Sequence, residues 1–163
     1  MTLRALDAAT IRALHDTGRA PVDGVEIGWN DEDAHNLRHR IHALDVDADS
    51  APYLVHVVLD GPVVAARIGC HDAPRDGLVE IGYFVAPRYR GAGLATAMVT
   101  EFLGWLADQD VERVRATIEP DNVASLALVA RLGFVPDGEE WEDDGTRMLA
   151  FVVDPRGLRS WSG

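Results

Sequence analysis

Residues 88–96 read RYRGAGLAT, between an apolar run, Ile81 to Val85, and a stretch with helical spacing. A helix start presents unpaired N–H groups and the positive end of the helix dipole, so this junction attracts anions. Gly91 and Gly93 let the main chain approach a ligand closely and take conformations barred to other residues. Arg88 and Arg90 add charge suited to phosphate oxygens, and a pyrophosphate is the natural occupant. Gly91-x-Gly93 with Thr96 also approaches the dinucleotide fingerprint G-x-G-x-x-G, which keeps a nicotinamide or flavin dinucleotide open. That fingerprint asks for an acidic residue ending the next strand, where Glu119 falls late. It also asks for a glycine loop opening a larger parallel unit, and this one follows an antiparallel hairpin.

Other constellations read as structure. His35, His39 and His42 share one face of a helix at zinc-ligand spacing, yet their charged neighbours describe a partly exposed face. Asp45, Asp47 and Asp49 imitate the start of a calcium loop, but Ser50 and His56 stand where Gly and Glu are required. Adjacent Cys70 and His71 point to opposite strand faces, which argues against a nucleophilic dyad. No metal is expected. The chain has no lysine among its 15 basic residues, which removes Schiff-base and Walker-type chemistry. A net charge of −12 argues against nucleic acid. It suits a cationic small molecule or a basic peptide. DGEEWEDDG around Trp141 and WNDE from Trp29 could each border such an acceptor.

The elements that must position these residues follow from periodicity. The chain length, 163 residues, suits one domain. A short strand in TLRALD precedes a helix from Asp7 to Thr17, and Gly18 to Asn30 reads as a Gly- and Pro-containing loop. A second helix fits DEDAHNLRHRIHALD. YLVHVVLD and PVVAARIG form a hairpin about Asp60-Gly61. GLVEIGYFVA is the fourth strand. A helix runs from Gly91 to Asp108 with Leu94, Met98, Phe102 and Trp105 on one face. VERVRATIE is the fifth strand, Asn122 opens a helix closed at Gly133, and a hairpin turned at Asp144-Gly145 ends the chain. The start lacks a signal peptide's apolar centre, nothing approaches a membrane span, and one cysteine fits a reducing cytoplasm.

Arg88-x-x-Gly91-x-Gly93 resembles the Q/R-x-x-G-x-G/A signature of the GNAT superfamily of N-acetyltransferases. PDNVASLALVARLGF resembles the family's second conserved segment, and EIGYFVAPRYRGAGLATAMV is most similar to the ribosomal-protein N-terminal acetyltransferase branch. The motifs span residues 78–153 of a single domain over 1–163. The resemblance implies an α/β fold: a mostly antiparallel sheet of about six to seven strands, splayed between the fourth and fifth, flanked by about four helices.

It also implies chemistry. Acetyl-CoA would be the donor and a primary amine, as on a protein N-terminus, the acceptor, joined by direct attack in a ternary complex. Arg88, Arg90, Gly91, Ala92, Gly93, Leu94, Ala95 and Thr96 would hold the pyrophosphate, mainly through backbone N–H groups. Tyr83, Phe84 and Val85 would pair with the pantetheine arm, and an N–H near Val85 would polarise the thioester carbonyl. Asn122 would contact the arm and Ser125 would lie near the sulfur. Glu80 would be the general base. Many relatives carry a tyrosine as general acid where this chain has Val129, which leaves Ser125, a water or Tyr83 to protonate the thiolate. A monomer or homodimer is expected, without membrane attachment. A non-catalytic acyl-CoA-binding regulator on the same fold is the alternative.

Overall fold

The computed structural model describes residues 1–29 and 31–161, with side chains described over 1–29 and 37–158. Strand β1 (Leu3–Ala5) leads into helix α1 (Ala8–Thr17), whose N-terminus Asp7 caps by accepting from the Thr10 N–H at 2.8 Å. The loop expected over Gly18–Asn30 is, as far as it is described, a hairpin of β2 (Arg19–Val22) and β3 (Val25–Gly28). Asp23 and Gly24 turn it, at φ +49° and +80°. Positive φ at both central residues matches the right-handed twist of the strands. Ala20, Val22 and Ile27 bury its inner face.

Helix α2 (Asp31–Val46) is followed by the single turn α3 (Ala51–Leu54). The strand expected from Tyr53 therefore begins later, as β4 (His56–Asp60), and pairs with β5 (Val63–Cys70). Asp60 pairs with Val63, so the turn residues are Gly61 and Pro62, one position beyond those expected. Gly69 makes the extra turn compatible with the sheet: a Cβ there would sit 1.8 Å from the Leu54 carbonyl oxygen. Next come β6 (Leu78–Val85), α4 (Leu94–Asp108), β7 (Arg113–Ile118), α5 (Val123–Arg131), β8 (Val135–Trp141) and β9 (Arg147–Val153).

Seven strands form one sheet in the order β1-β4-β5-β6-β7-β9-β8, and β2-β3 stands apart. Within the large sheet, β6 and β7 are the parallel pair and the other pairings are antiparallel. Among the described residues five helices replace the expected four or so, α3 being the addition. Both sheet faces are covered. On one, Met98, Phe102 and Leu106 of α4 and Leu128 of α5 pack on Ile81, Val85 and Val114. On the other, Ile11 and Leu14 of α1, Leu37 and Leu44 of α2, and Ile27 of the hairpin pack on Val57. Burial of this apolar surface, at roughly 25 cal/mol per Å², is the main driving force for the arrangement.

Candidate active site

β6 and β7 stay paired only from Leu78↔Arg113 to Glu80↔Arg115, and then separate. These are the fourth and fifth strands of the sequence reading, so the splay falls where the resemblance places it. The His71 N–H donates to the Glu80 carbonyl, and the Ala86 N–H to that of Ala65, each at 2.9 Å. Even-numbered residues of β6 thus turn their main-chain groups toward β5. By alternation, those of Tyr83 and Val85 turn toward the splay, beyond the last β7 pairing. The β5–β6 register runs from Ala66↔Val85 to Cys70↔Ile81 without a shift, so no bulge alters the face on which Glu80 lies.

A cavity of about 540 Å³ opens beneath the splay, between β6, the start of α4 and α5. Tyr83, Phe84 and Val85 line one wall, Arg90, Gly91 and Gly93 to Thr96 the second, and Asn122 and Ser125 the third. Arg88 and Ala92 stand outside this lining, the Arg88 guanidinium lying 5.1 Å from the centre of the Tyr89 ring. Tyr89, Ala124, Leu128 and Arg131 line it as well. Arg131 donates to Thr96 Oγ1 at 3.2 Å. In sequence it reads only as a basic residue in the last turn of α5, an ordinary complement to the helix dipole.

Helix α4 begins at Leu94, later than the expected Gly91. Gly93 is its N-cap and has no side chain to cap with. Its first intrahelical donor is the Ala97 N–H, bonded to the Gly93 carbonyl at 3.1 Å. The preceding N–H groups lack intrahelical partners. Gly91 and Gly93 have φ +84° and +81°, and a Cβ on either would meet nothing within 4 Å. Conformation, not crowding within the protein, is what calls for glycine there.

Tyr83 Oη donates to Ser125 Oγ at 2.8 Å, and the Asn122 carboxamide oxygen accepts from the Ser125 N–H at 3.2 Å. Burial raises the Tyr83 pKa above its ordinary value, so the phenol stays protonated through neutral pH. Val129 is 2% exposed within the core, which gives no access to the cavity. Glu80 occupies the apex of the splay on the opposite sheet face and accepts from Thr117 Oγ1 at 3.1 Å. Arg115 Nη1 and His71 Nδ1 lie 3.8 and 3.9 Å from its other oxygen. Burial first, and then the charge of Arg40, lower the His71 pKa. Cys70 is buried and burial pushes its thiol up, while the adjacent His71 turns its Nδ1 to Glu80 on the opposite strand face, so the two form no dyad.

Trp29 borders two recesses on the Glu80 side of the sheet, whereas Trp141 is 63% exposed at the end of β8. Three carboxylates of the acidic hairpin already have arginine partners, for two of them Arg115 of β7. Asp137 and Glu140 flank Arg115, and Glu139 bonds Arg147, which weakens the case for it as a cation site. Asn30 and the side chains of Asp31, Glu32 and His35 lie outside the described residues. No helix among the described residues is long and apolar enough to cross a membrane.

Residues 1–135 match the family model of the acetyltransferase (GNAT) domain, reaching well N-terminal to the motifs of 78–153. No curated protein matches the chain. Among solved structures, RimJ of Mycobacterium smegmatis, in complex with CoA-disulfide, is similar at 24% identity and TM-score 0.64, over 99% of this chain and 88% of that one. A variant of spermidine N-acetyltransferase SpeG from Vibrio cholerae shares 17% identity at TM-score 0.67, over 100% of both chains. A ribosomal-protein-alanine N-acetyltransferase from Brucella melitensis shares 21% at 0.65, over 94% and 99%. These identities establish a shared fold. Fold, splay and family match agree: the chain belongs to the GNAT acetyltransferase family.

Proposed function

We propose that the whole chain forms one cytoplasmic domain that moves an acetyl group from acetyl-CoA to a primary amine by direct attack in a ternary complex. One observation carries this reading: the edge of β6 beyond its last pairing with β7 and the uncapped start of α4 open into the same cavity. The fit to coenzyme A is chemical. The bare N–H groups from Gly93 to Thr96, with Arg90 and Arg131, suit its phosphates. The main-chain groups of Tyr83 and the Val85 N–H suit the amides of an extended arm, as a strand edge does, while the Val85 carbonyl accepts from Arg90 Nε at 2.8 Å and so ties the glycine loop to the strand end. RimJ, at 24% identity, is a structure with a CoA derivative bound.

Bound acetyl-CoA supplies an activated acetyl group as its thioester. Glu80, on the far face at the apex, takes a proton from the incoming ammonium so that a neutral amine attacks. Thr117 and Arg115 fix the direction of its carboxylate. The Val85 N–H polarises the acyl oxygen. As the C–N bond forms and the C–S bond breaks, Ser125 would give its proton to the departing thiolate, and Tyr83 would restore it through their shared hydrogen bond. The second proton shed by the nitrogen returns to Tyr83 through solvent, so that amide and thiol form with one net proton left on Glu80. A thiol pKa of about 8.5 demands only modest acid help, which suits a hydroxyl relay in place of a dedicated tyrosine at position 129. The likeness to enzymes titled as acting on ribosomal protein and on spermidine supports an amine acceptor.

Incubation with acetyl-CoA and a panel of primary amines, following free thiol, tests the reading. Amine-dependent release supports it. Tight CoA binding without release across the panel would favour a non-catalytic acyl-CoA-binding protein, and a melting shift with NADH but not CoA would favour a dinucleotide.

A further inference from the structure

Asp137 and Glu140 of β8 stand outside the large cavity, yet both reach the apex of the splay through Arg115. Residues three apart on an unbroken strand point to opposite faces. A bulge in β8 removes that separation: from Pro136↔Phe151 to Glu139↔Leu149 the strand advances three residues against two on β9. Gly138, at φ +91°, lies inside the bulge and supplies its backbone conformation. The extra residue turns Asp137 and Glu140 to one face, the face of Arg115.

Arg115 lies directly opposite Glu80 in the last β6–β7 pairing before the strands part. Its guanidinium is shared unequally. Nη2 donates to Glu140 at 2.7 Å, Nε stands 3.5 Å from Asp137, and Nη1 stands 3.8 Å from Glu80 Oε2. The last separation is too long for a hydrogen bond. The bond to Glu140 is also the leading influence on Arg115, raising its pKa. Glu80 Oε1 accepts from Thr117, so Oε2 is the oxygen left for an incoming amine. An arginine closing on Oε2 would occupy its lone pairs and stabilise the ionised carboxylate, making Glu80 a poorer base. Glu140 and Asp137, on the other two nitrogens of the guanidinium, oppose that closure.

We propose that Glu140 is a positioning residue for acetyl transfer: by binding Arg115 it holds the guanidinium off Glu80 Oε2 and keeps that carboxylate basic and open to the acceptor amine. This inference rests on the acetyl-transfer reading with Glu80 as base. The remaining charged or titratable groups about Glu80 are His71, 3.9 Å away, and through it Asp72, Arg40 and His39. These stay the same in every variant compared.

The first measurement needs neither cofactor nor acceptor. The Glu80 carboxyl carbon, identified in a ¹³C spectrum by its loss in Glu80→Gln, is titrated with pH in each variant. In Glu140→Ala its midpoint falls by about 0.5 pH unit or more, a value discounted for partly exposed groups. In Glu140→Gln, which keeps an acceptor oxygen without the charge, it falls by less. Glu139→Ala removes the same charge from the same strand, where Arg147 is the partner, and moves the midpoint by less than about 0.2 pH unit. In an Arg115→Met background, Glu140→Ala has no more effect than Glu139→Ala. With acetyl-CoA and either alaninamide or spermidine, the acid limb of kcat/KM moves to lower pH with the midpoint. At neutral pH, Glu140→Ala loses about threefold in kcat/KM, as a weaker base should. An unmoved midpoint, an equal shift in Glu139→Ala, or a shift that survives Arg115→Met overturns the proposal. So does a shifted midpoint beside an unmoved acid limb. A shifted midpoint with full turnover in Glu80→Gln, or with no turnover at all, would retain the Arg115 arrangement and overturn the underlying reading instead.

Discussion

Tyr83 of β6 and Ser125 of α5 are joined by a 2.8 Å hydrogen bond across the cavity wall, with the phenol as donor. The serine proton is therefore free to serve the cavity. If the two hydroxyls form one relay, Tyr83→Phe and Ser125→Ala each lower kcat by about tenfold, and the double variant is no slower than Ser125→Ala. CoA affinity stays unchanged in all three. Burial raises the Tyr83 pKa, so the loss on the alkaline limb of the rate profile falls above the ordinary tyrosine value. Additive losses in the double variant would show two independent roles.

Glu80 belongs to the opposite face, held by Thr117 and flanked by Arg115 and His71. Glu80→Gln preserves the shape and the Thr117 contact but cannot take a proton. Its kcat/KM at neutral pH falls by about 100-fold, within the usual range for a general base, with CoA affinity intact. Thr117→Val, which frees the carboxylate to turn, gives a smaller loss. Steady-state kinetics beside CoA titration separates these effects, and unchanged turnover in Glu80→Gln removes the assignment.

The glycine loop and the Asn122-capped helix are legible in the sequence because each rests on local chemistry, whereas the splay is implied only by the family resemblance. The apolar run, the two glycines and the cap need only near neighbours to declare themselves. The β2–β3 hairpin was less apparent, although Val22-Asp23-Gly24-Val25 carries a strong hairpin turn. Pro21 and the surrounding glycines made the segment look like a loop, and burial of Ile27 against α1 and α2 overrides that composition. Contacts distant in sequence left no local mark. Nothing near Arg131 announces Thr96, and nothing near Glu140 announces Arg115.

Gly69 tests the packing of α3 on the sheet. A methyl group there would lie 1.8 Å from the Leu54 carbonyl oxygen and 2.6 Å from its carbon, both backbone atoms with little freedom to yield. Gly69→Ala destabilises the fold by about 3 kcal/mol, the upper end for overpacked cores. Urea unfolding measures the shift, and a loss below about 1 kcal/mol would mean that α3 moves away readily.

Stability also follows pH through buried histidine. His56 donates through Nε2 to the Pro52 carbonyl at 2.6 Å and packs between Phe102 and Trp105. Burial lowers its folded pKa below the ordinary value, and His71 shifts in the same direction. The unfolded chain therefore takes up protons first as pH falls through about 6.5. The stabilising contribution is complete above that value and is lost on acidification below it. Urea midpoints at pH 7.5 exceed those at pH 5.5, and His56→Gln narrows the difference. An unchanged difference would place the pH dependence on other groups.

The central claim, that the cavity under the splay presents acetyl-CoA to an amine, is tested most directly by quantifying thiol and N-acetylated product together. Wild-type protein is compared with Gly91→Val, a β-branched residue incompatible with φ +84°. The account predicts amine-dependent thiol release equal to product formed, with Gly91→Val losing at least about tenfold in CoA affinity. Thiol release without acetylated amine, or full activity and CoA affinity in Gly91→Val, would contradict it.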